Sequence, residues 1–264
     1  MIIASDLDRT LIYSNRAIAE FGRPADLMLK PVESRDGRWI SFMTKASFIA
    51  LKALFSRYLF VPVTTRTIEQ YRRIHVFQEE LLPRYAITSN GGNILLNGKQ
   101  MKEWSEFISV KIRNESAATA EITDLLQREG CLFEGIKKHV EELFFYIILN
   151  NPLPVGDKQT LSTLLAPFGW NVSLQGRKLY FIPKVINKGD ALEFVCSHSG
   201  EIAFAGSGDS ILDLDFLNHC RYCFIPNHSE LVHDPYIDTP SGMSVTKKHG
   251  VLAGEEILKQ YLLL

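Results

Sequence analysis

The sequence lacks the features that mark membrane proteins and nucleic-acid-binding proteins. None of its apolar runs approaches the ~20 residues that a membrane-spanning helix needs. Its 29 Lys and Arg residues face 30 Asp and Glu residues, so it has no basic excess for broad neutralisation of nucleic-acid phosphates. We therefore expect no membrane partner and no nucleic-acid partner, although a local basic cleft is compatible with this charge balance.

Cysteine is also scarce, with 4 residues in 264. The chain starts without the basic segment of a secretory signal, and an acidic residue stands at position six. Few cysteines and no such signal are typical of a reducing compartment, so we expect a cytoplasmic protein. The sequence also lacks the P-loop pattern of nucleotide-binding proteins and the nucleophile elbow of serine hydrolases.

What the sequence does contain is the pattern of a globular α/β protein. Apolar residues make up 46% of the chain, which excludes intrinsic disorder. Short apolar runs at 1–5, 59–63 and 85–88 predict buried strands, and the intervening segments 44–58 and 67–82 have helical periodicity. This alternation predicts a parallel sheet, which binds ligands outside the carboxyl ends of its strands.

The middle of the chain has a different character. Hairpin signals, such as an Asn-Gly turn, predict antiparallel strands there. The predicted segments are a hairpin over 94–99, a helix over 108–129, a strand over 143–149, a helix over 157–166 and a hairpin over 171–182. These are elements of an α+β module rather than of a parallel sheet.

After residue 183 the alternation of helix and strand resumes, with a helix over 188–198 and a strand over 202–205. We therefore predict an α/β fold with a doubly wound, mostly parallel, Rossmann-like core sheet. The core is discontinuous, over 1–103 and 183–264, and an α+β domain over 104–182 is inserted into it.

Four acidic residues follow two of the predicted core strands. Asp6 and Asp8 stand two positions apart after the first strand, so an extended chain points both carboxylates to one side. One could act as a nucleophile and the other as general acid and base. Asp209 and Asp213 follow strand 202–205. Together the four carboxylates would form an oxygen-only site suited to Mg²⁺. Because converging carboxylates repel one another, a divalent cation would compensate their charge.

A hydroxyl and a cation extend this set. Thr64 ends the strand at 59–63 and offers its hydroxyl and backbone N–H to an anionic oxygen. Lys188 opens a predicted helix, where a cation is unfavourable for the helix dipole. A role in neutralising a phosphoryl group is therefore favoured over a solvated surface position for Lys188.

In order along the chain, these segments resemble the four motifs of the haloacid dehalogenase-like phosphatases. The motifs are Asp6–Leu11, Thr64–Arg66, Lys188–Gly189 and Gly208–Asp213. The insert lies between the second and third motifs, where the large cap domains of this family are found, and Ser89-Asn90-Gly91 resembles a turn of that branch. Within the family, the sequence is most similar to the sucrose-phosphate phosphatases and mannosyl-3-phosphoglycerate phosphatases.

The resemblance implies a catalytic role for each motif. Asp6 would form an aspartyl phosphate, and Asp8 would protonate the leaving alkoxide and then activate water. Thr64 and Lys188 would bind the phosphoryl oxygens. The Mg²⁺ ligands would be Asp6, the carbonyl of Asp8, and Asp209, with Asp213 orienting the waters of the metal. Positioning and charge neutralisation carry most of the catalysis in phosphoryl transfer.

Some candidate substrate-binding residues are also positions at which the sequence departs from the family motifs. Thr65, Arg66, Asn90 and Arg9 are the residues we expect at the substrate. Arg9 stands where the first motif usually has Gly, and it could pair with a substrate anion or with a core carboxylate. Thr65 replaces the Gly of the second motif. Leu212 replaces a common Asn of the fourth, which could remove one hydrogen bond.

The function implied is a Mg²⁺-dependent phosphomonoesterase acting on a small phosphorylated metabolite, with a sugar phosphate as the expected substrate. Two alternatives remain open. One is a phosphomutase of phosphosugars, and the other is a non-catalytic phospho-ligand sensor. The Cys220-x-x-Cys223 pair has the spacing of zinc ligands, but we expect two buried thiols, because no second such pair is present.

Overall fold

The computed structural model describes residues 1–22, 28–154, 156–233 and 242–264. The chain divides into two compact units. The first, Met1–Gln100 with Lys188–Leu264, is here called the core unit, and the second, Met101–Asn187, the inserted unit. Within the described ranges, the helices are too short or too polar to cross a membrane.

The described elements alternate along the chain much as the sequence predicts. In chain order the strands are β1 (Ile2–Ser5), β2 (Tyr13–Ser14), β3 (Leu29–Arg35), β4 (Arg38–Thr44), β5 (Leu59–Pro62), β6 (Tyr85–Thr88), β7 (Asn93–Leu96), β8 (Lys99–Gln100), β9 (Gly135–Val140), β10 (Phe144–Leu149), β11 (Trp170–Gln175), β12 (Lys178–Pro183), β13 (Ala203–Ser207), β14 (Tyr222–Ile225) and β15 (Met243–Val245). The α-helices are α1 (Asn15–Phe21), α2 (Lys45–Phe55), α3 (Ile68–Arg72), α4 (Lys102–Glu115), α5 (Thr119–Arg128), α6 (Asp157–Leu165), α7 (Lys188–Ser199), α8 (Leu214–Leu217), α9 (Glu230–His233) and α10 (Val251–Leu262).

The central sheet of the core unit has the strand order β15-β14-β13-β1-β5, and every neighbouring pair is parallel. All residues of β1 are buried, as expected for a strand covered on both faces. In the register of the sheet, Ser5 lies opposite Pro62 and Ser207. The predicted parallel α/β core is confirmed, and the loops after β1, β5 and β13 leave the same edge.

Among its described residues, the core unit also has two small antiparallel sheets, with orders β2-β4-β3 and β6-β7-β8. The predicted Asn-Gly turn is present, because Asn97 and Gly98 both have positive φ, at 50° and 75°, as a two-residue hairpin requires. Strand β6 lies where the sequence predicts it and pairs antiparallel with β7, which the alternation did not predict. It meets the end of β5 in parallel orientation, through the bridge between Val63 and Ile87 and the hydrogen bond from Thr64 N to Ile87 O.

A predicted helix over 67–82 is interrupted in the core unit. Helix α3 ends at Arg72, and a π-helical turn follows over Val76–Glu80. Between them, the backbone of Ile74 forms an antiparallel bridge with Glu33 of β3. A long-range backbone pairing has therefore replaced the helical one, which local periodicity does not reveal.

The inserted unit is a four-stranded antiparallel sheet, in the order β11-β12-β10-β9, with helices α4 to α6. The predicted helix over 108–129 is two helices, α4 and α5. At Ser116 the backbone is extended (φ −138°, ψ 140°), because the Ser116 Oγ donates to Gly169 O and Ala117 N donates to Phe168 O. Strand β9 was not predicted, since Val140 is its one buried residue.

The cysteines are free thiols. In the segment Cys220-x-x-Cys223, both thiols donate to backbone carbonyls, Cys220 to Phe216 O and Cys223 to Leu217 O. Burial raises the pKa of Cys220 and that of Cys223, the latter to about 11. These contacts are those of packed thiols rather than of thiolate metal ligands.

Candidate active site

The loops that carry the first and fourth motifs begin side by side. Asp6 N donates to Ser207 O at 2.8 Å, and the hydroxyl oxygens of Ser5 and Ser207 are also 2.8 Å apart. These contacts continue the pairing of β1 with β13 by one residue. The sheet register therefore places Asp6 next to the start of the Gly208–Asp213 loop.

Lys188, at the start of α7, lies between two of the predicted acids. Its side chain is 1% exposed, and Nζ donates to Asp6 Oδ1 at 2.9 Å and to Asp213 Oδ1 at 2.5 Å. Burial lowers the pKa of Lys188, but the two carboxylates outweigh it, so its pKa is raised and the ammonium stays charged. Burial raises the pKa of Asp6 to about 7, against the attraction of Lys188.

The loop of the fourth motif is built around the Asp213 side chain. Its Oδ2 accepts hydrogen bonds from Asp209 N at 3.0 Å, Ser210 N at 2.9 Å and Ser210 Oγ at 2.9 Å. Position 208 must be glycine, because a Cβ there would lie 2.4 Å from the Cβ of Asp213. The Gly-Asp-Ser sequence thus supplies the space and the donors that orient Asp213.

Asp6, Asp209 and Asp213 form a cluster of acids in which one oxygen from each lies within 4.8 Å of the others. Burial raises the pKa of Asp209 well above its usual range, and repulsion from Asp6 and Asp213 adds to this. An oxygen-only donor set whose members repel one another fits a hard divalent cation such as Mg²⁺. The observed donors thus fit the predicted cofactor.

Thr64 and the Ser89-Asn90-Gly91 turn are joined through the backbone. Asn90 N donates to Thr64 O at 3.0 Å, and Ser89 N donates to Arg66 O at 2.7 Å. Ser89, Asn90 and Gly91 all have positive φ, at 52°, 58° and 96°. Such strain costs on the order of 1–3 kcal/mol per non-glycine residue and is concentrated at functional sites. The turn holds Asn90 against the strand end that carries Thr64.

Arg66 binds Asp8 through two parallel hydrogen bonds. Nε donates to Asp8 Oδ2 at 2.7 Å, and Nη2 donates to Asp8 Oδ1 at 2.8 Å. Nη1 lies 2.9 Å from the Oε2 of Glu33, a buried residue that sequence reasoning missed. Burial disfavours the charged guanidinium, but these two carboxylates raise the pKa of Arg66. Glu33 is the one acid of β3, and no spacing in the sequence connects it to the motifs.

Arg9 pairs with carboxylates of the core unit. Its Nη1 and Nη2 donate to the two oxygens of Glu20 at 3.2 and 3.0 Å, and its Nε lies 3.7 Å from Asp209 Oδ2. The φ of Arg9 is 65°, which explains why glycine is usual at this position of the motif. Thr65 is partly exposed between Thr64 and Arg66, and its contact with substrate stays a prediction.

Solved structures show what the fold of this chain resembles. Sucrose-phosphatase from Synechocystis sp. PCC6803, solved in complex with sucrose and phosphate, aligns with a TM-score of 0.69 and 17% identity over 99% of this chain and 97% of that chain. A sugar phosphatase of HAD subclass IIB aligns with a TM-score of 0.58 and 10% identity over 100% and 99%. A trehalose-6-phosphate phosphatase related protein aligns with a TM-score of 0.55 and 15% identity over 100% and 97%.

The sequence comparisons find no such relative. No protein-family model matches the chain, and no curated protein matches it significantly. The structural alignments nevertheless cover nearly all of this chain and of the compared chains. The chain therefore has the fold of the haloacid dehalogenase-like phosphatases, and the predicted resemblance is confirmed at the level of the fold.

Proposed function

We propose that the protein is a Mg²⁺-dependent phosphomonoesterase that hydrolyses a small phosphorylated metabolite, with a sugar phosphate as the expected substrate. One observation carries the proposal. The carboxylate of Asp6 lies at the carboxyl edge of a parallel sheet, 2.9 Å from the buried ammonium of Lys188 and within the acidic cluster of Asp209 and Asp213. A nucleophile, a fixed cation and a cation site thus converge on a fold shared with sugar phosphatases.

In the proposed reaction, an oxygen of Asp6 attacks phosphorus, and the phosphoryl group is transferred to it while the ester oxygen leaves. The proton that the leaving alkoxide needs comes from Asp8. In the second step Asp8 accepts a proton from water as the water oxygen bonds to phosphorus and the bond between phosphorus and the Asp6 oxygen breaks, which releases phosphate and restores the Asp6 carboxylate. Asp6, the Asp8 carbonyl and Asp209 would hold Mg²⁺, with Asp213 orienting its waters, and the bound ion would supply charge neutralisation at the phosphoryl oxygens. Both steps use side chains that follow β1 directly.

Lys188 and Thr64 would provide the remaining phosphoryl contacts. The Lys188 ammonium is already oriented toward Asp6 by its two carboxylate partners, so it requires little reorganisation when a phosphoryl group arrives. Thr64 lies at the end of β5, and its Oγ1 accepts from Arg66 N at 3.2 Å. Rotation of this hydroxyl would allow it to donate to a phosphoryl oxygen.

We assign the choice of substrate to the inserted unit, because the four motifs all lie outside residues 104–182. If this is correct, replacing 104–182 with a short Gly/Ser linker leaves hydrolysis of a small aryl phosphate measurable and removes the preference among natural phosphometabolites. Cooperative thermal unfolding must first show that the shortened protein folds. A folded variant that keeps its substrate ranking would refute the assignment.

The direct test of the proposed function is a panel of phosphorylated metabolites, assayed for release of inorganic phosphate with Mg²⁺ and with EDTA. Asp6→Asn should abolish turnover, because an amide cannot form the acyl phosphate. Asp8→Asn should slow it by about 10²–10⁴-fold, the usual effect of losing general acid–base catalysis. Asp36→Asn is the matched control, since Asp36 is an exposed acid in the turn between β3 and β4.

The same panel separates the two alternatives. Interconversion of isomeric phosphosugars without net phosphate release would identify a phosphomutase. Binding of a phosphometabolite without turnover would identify a sensor. Near-wild-type turnover in a verified Asp6→Asn protein would overturn the assignment of the nucleophile.

A further inference from the structure

Glu33 is a buried carboxylate in the core unit that none of the four motifs contains. Its residue exposure is 1%, and its Oε2 accepts a hydrogen bond from Ser41 Oγ at 2.6 Å. Two arginines lie against it, with Arg66 Nη1 at 2.9 Å and Arg73 Nε at 3.3 Å. A buried charge is costly unless it is paired, so this side chain is held by charge partners as well as by packing.

The backbone fixes where the Glu33 carboxylate lies. The register between β3 and β4 shifts on both sides of Glu33, and such irregularities re-aim side chains next to active sites. The backbone of Glu33 also forms the antiparallel bridge with Ile74, which lies just after the end of α3 and interrupts the helix predicted over 67–82. Glu33 is therefore positioned from three directions: its own strand, Ser41 of β4, and the segment after α3.

The geometry of the guanidinium connects Glu33 to Asp8. The three nitrogens of a guanidinium lie in one rigid plane. In Arg66, Glu33 contacts Nη1, while Nε and Nη2 form the edge that donates to Asp8. Because the plane is rigid, a partner that fixes Nη1 also fixes the direction of this edge. Glu33 thus determines where Arg66 presents its two donors to Asp8.

We propose that Glu33 is a positioning residue that acts through Arg66 to hold the Asp8 carboxylate where the reaction needs it. This inference rests on the proposed function, in which Asp8 transfers the protons. Small displacements of a catalytic group are expensive, since about 1 Å of misplacement can cost a factor of 10² in rate. Glu33 itself touches neither the acidic cluster nor the proposed nucleophile among the contacts described.

The test is a set of Glu33 variants assayed for kcat and KM on an aryl phosphate. Glu33→Ala should lower kcat about 10- to 100-fold with KM within a factor of about three, because phosphoryl binding by Lys188 and Thr64 is untouched. Glu33→Gln should fall between this variant and the wild type, since it keeps the length of the side chain and a polar oxygen near Arg66 Nη1 but loses the charge of the ion pair. The control is Glu255→Ala, which removes another buried carboxylate of the core unit, bonded to Thr44 Oγ1 at 2.7 Å, and should leave kcat unchanged.

A double-mutant cycle separates positioning of Asp8 from a general structural role. On an Asp8→Asn background, Glu33→Ala should lower kcat less than twofold further, because its effect passes through Asp8. A full further loss on that background would overturn the proposal. So would a Glu33→Ala effect confined to KM, or an equal loss of kcat in Glu255→Ala.

A second cycle tests the link without catalysis. The free energies of unfolding of Glu33→Ala, Asp8→Asn and the double variant should be non-additive, because both carboxylates depend on Arg66. Additive effects would overturn the proposed link. Were the wild type inactive on every phosphate ester, the proposed function would fail, and this cycle would still decide whether Glu33 orients Asp8.

Discussion

Lys188 and Asp6 are separated by 182 positions in the sequence, yet the ammonium of Lys188 donates to Asp6 Oδ1 at 2.9 Å. Both side chains are more than nine-tenths buried. The contact joins the end of β1 to the start of α7, across the whole inserted unit in sequence. This ion pair therefore joins the two parts of the discontinuous core unit and also places a cation next to the proposed nucleophile.

Loss of the Lys188 charge should destabilise the protein strongly. In Lys188→Met, two buried carboxylates lose their counter-charge, so we expect about 3–5 kcal/mol less free energy of unfolding at pH 8 without divalent cations. Lys259→Met is the control, because Lys259 is 56% exposed although it lies 2.5 Å from Glu255, and it should cost less than about 1 kcal/mol. Urea unfolding measures both, and equal losses would contradict the proposed weight of the buried ion pair.

The two acids of the fourth motif should respond oppositely to truncation. Asp209→Ala removes a carboxyl group whose charged form is disfavoured by burial and repulsion, which raise its pKa, so in EDTA its melting temperature should rise. Asp213→Ala leaves the N–H groups of Asp209 and Ser210 without their acceptor, so its melting temperature should fall.

Mg²⁺ should stabilise the wild type, and this stabilisation should be weakened more in Asp209→Ala than in Asp213→Ala, because direct ligation outweighs contact through water. Thermal melts of the wild type and both variants, in EDTA and with Mg²⁺, measure these effects. The reverse order of Mg²⁺ dependence would mean that the two roles are exchanged.

Gly208 should be required for activity, whereas Gly98, a glycine with positive φ, should not. A Cβ at Gly208 would lie 2.4 Å from Asp213 Cβ, whereas one at Gly98, with φ 75°, meets nothing within 4 Å. Both Ala variants should lose about 1–3 kcal/mol of stability, one through overpacking and one through strain. Phosphate release should be lost in Gly208→Ala alone, and a fully active Gly208→Ala protein would refute the proposed geometry of the loop.

His228 should contribute to acid sensitivity. Its Nδ1 accepts from Gly250 N, so Nε2 carries the proton and donates to Arg9 O at 2.9 Å. Burial lowers the pKa of His228 to about 4. Between pH 6.5 and 4 the unfolded chain therefore binds the extra proton, and stability contributed by the neutral ring is lost as the pH falls through this window.

The measurement is the free energy of unfolding against pH in the wild type and in His228→Gln, whose amide does not titrate. Between pH 6.5 and 4, the free energy of unfolding should depend more steeply on pH in the wild type than in His228→Gln. The difference in slope should be less than about 1.4 kcal/mol per pH unit, which is the limit for one proton, because the ring is partly exposed. Parallel curves over this window would show that His228 does not titrate as described.

The order of the motifs and the placement of their residues at strand ends were predictable from the sequence. Apolar runs such as 1–5 and 59–63 are local signals, and a parallel sheet brings the residues after them to one edge whatever the loops do. For this reason the sequence predicts that Asp6, Asp209 and Asp213 lie together, and the structure places one oxygen of each within 4.8 Å of the others. The roles assigned to them remain predictions.

Other features depended on contacts between distant segments. The helix predicted over 67–82 is interrupted because Ile74 pairs with Glu33, and the helix over 108–129 is broken by hydrogen bonds from Ser116 and Ala117 to the segment before β11. Periodicity reports which face of a segment is apolar, but not which distant backbone will compete for its hydrogen bonds.

The sequence by itself determined the chemistry available at the site, because carboxylates, a hydroxyl and an ammonium at strand and helix ends are properties of residue type and local pattern. The tertiary structure alone decided how these groups are paired. Asp8 is bound by Arg66, Arg66 is contacted by Glu33, and Arg9 pairs with Glu20. Each pairing depends on distances of a few ångströms between segments that only the folded core brings together, and Coulomb energies at such distances select the partner.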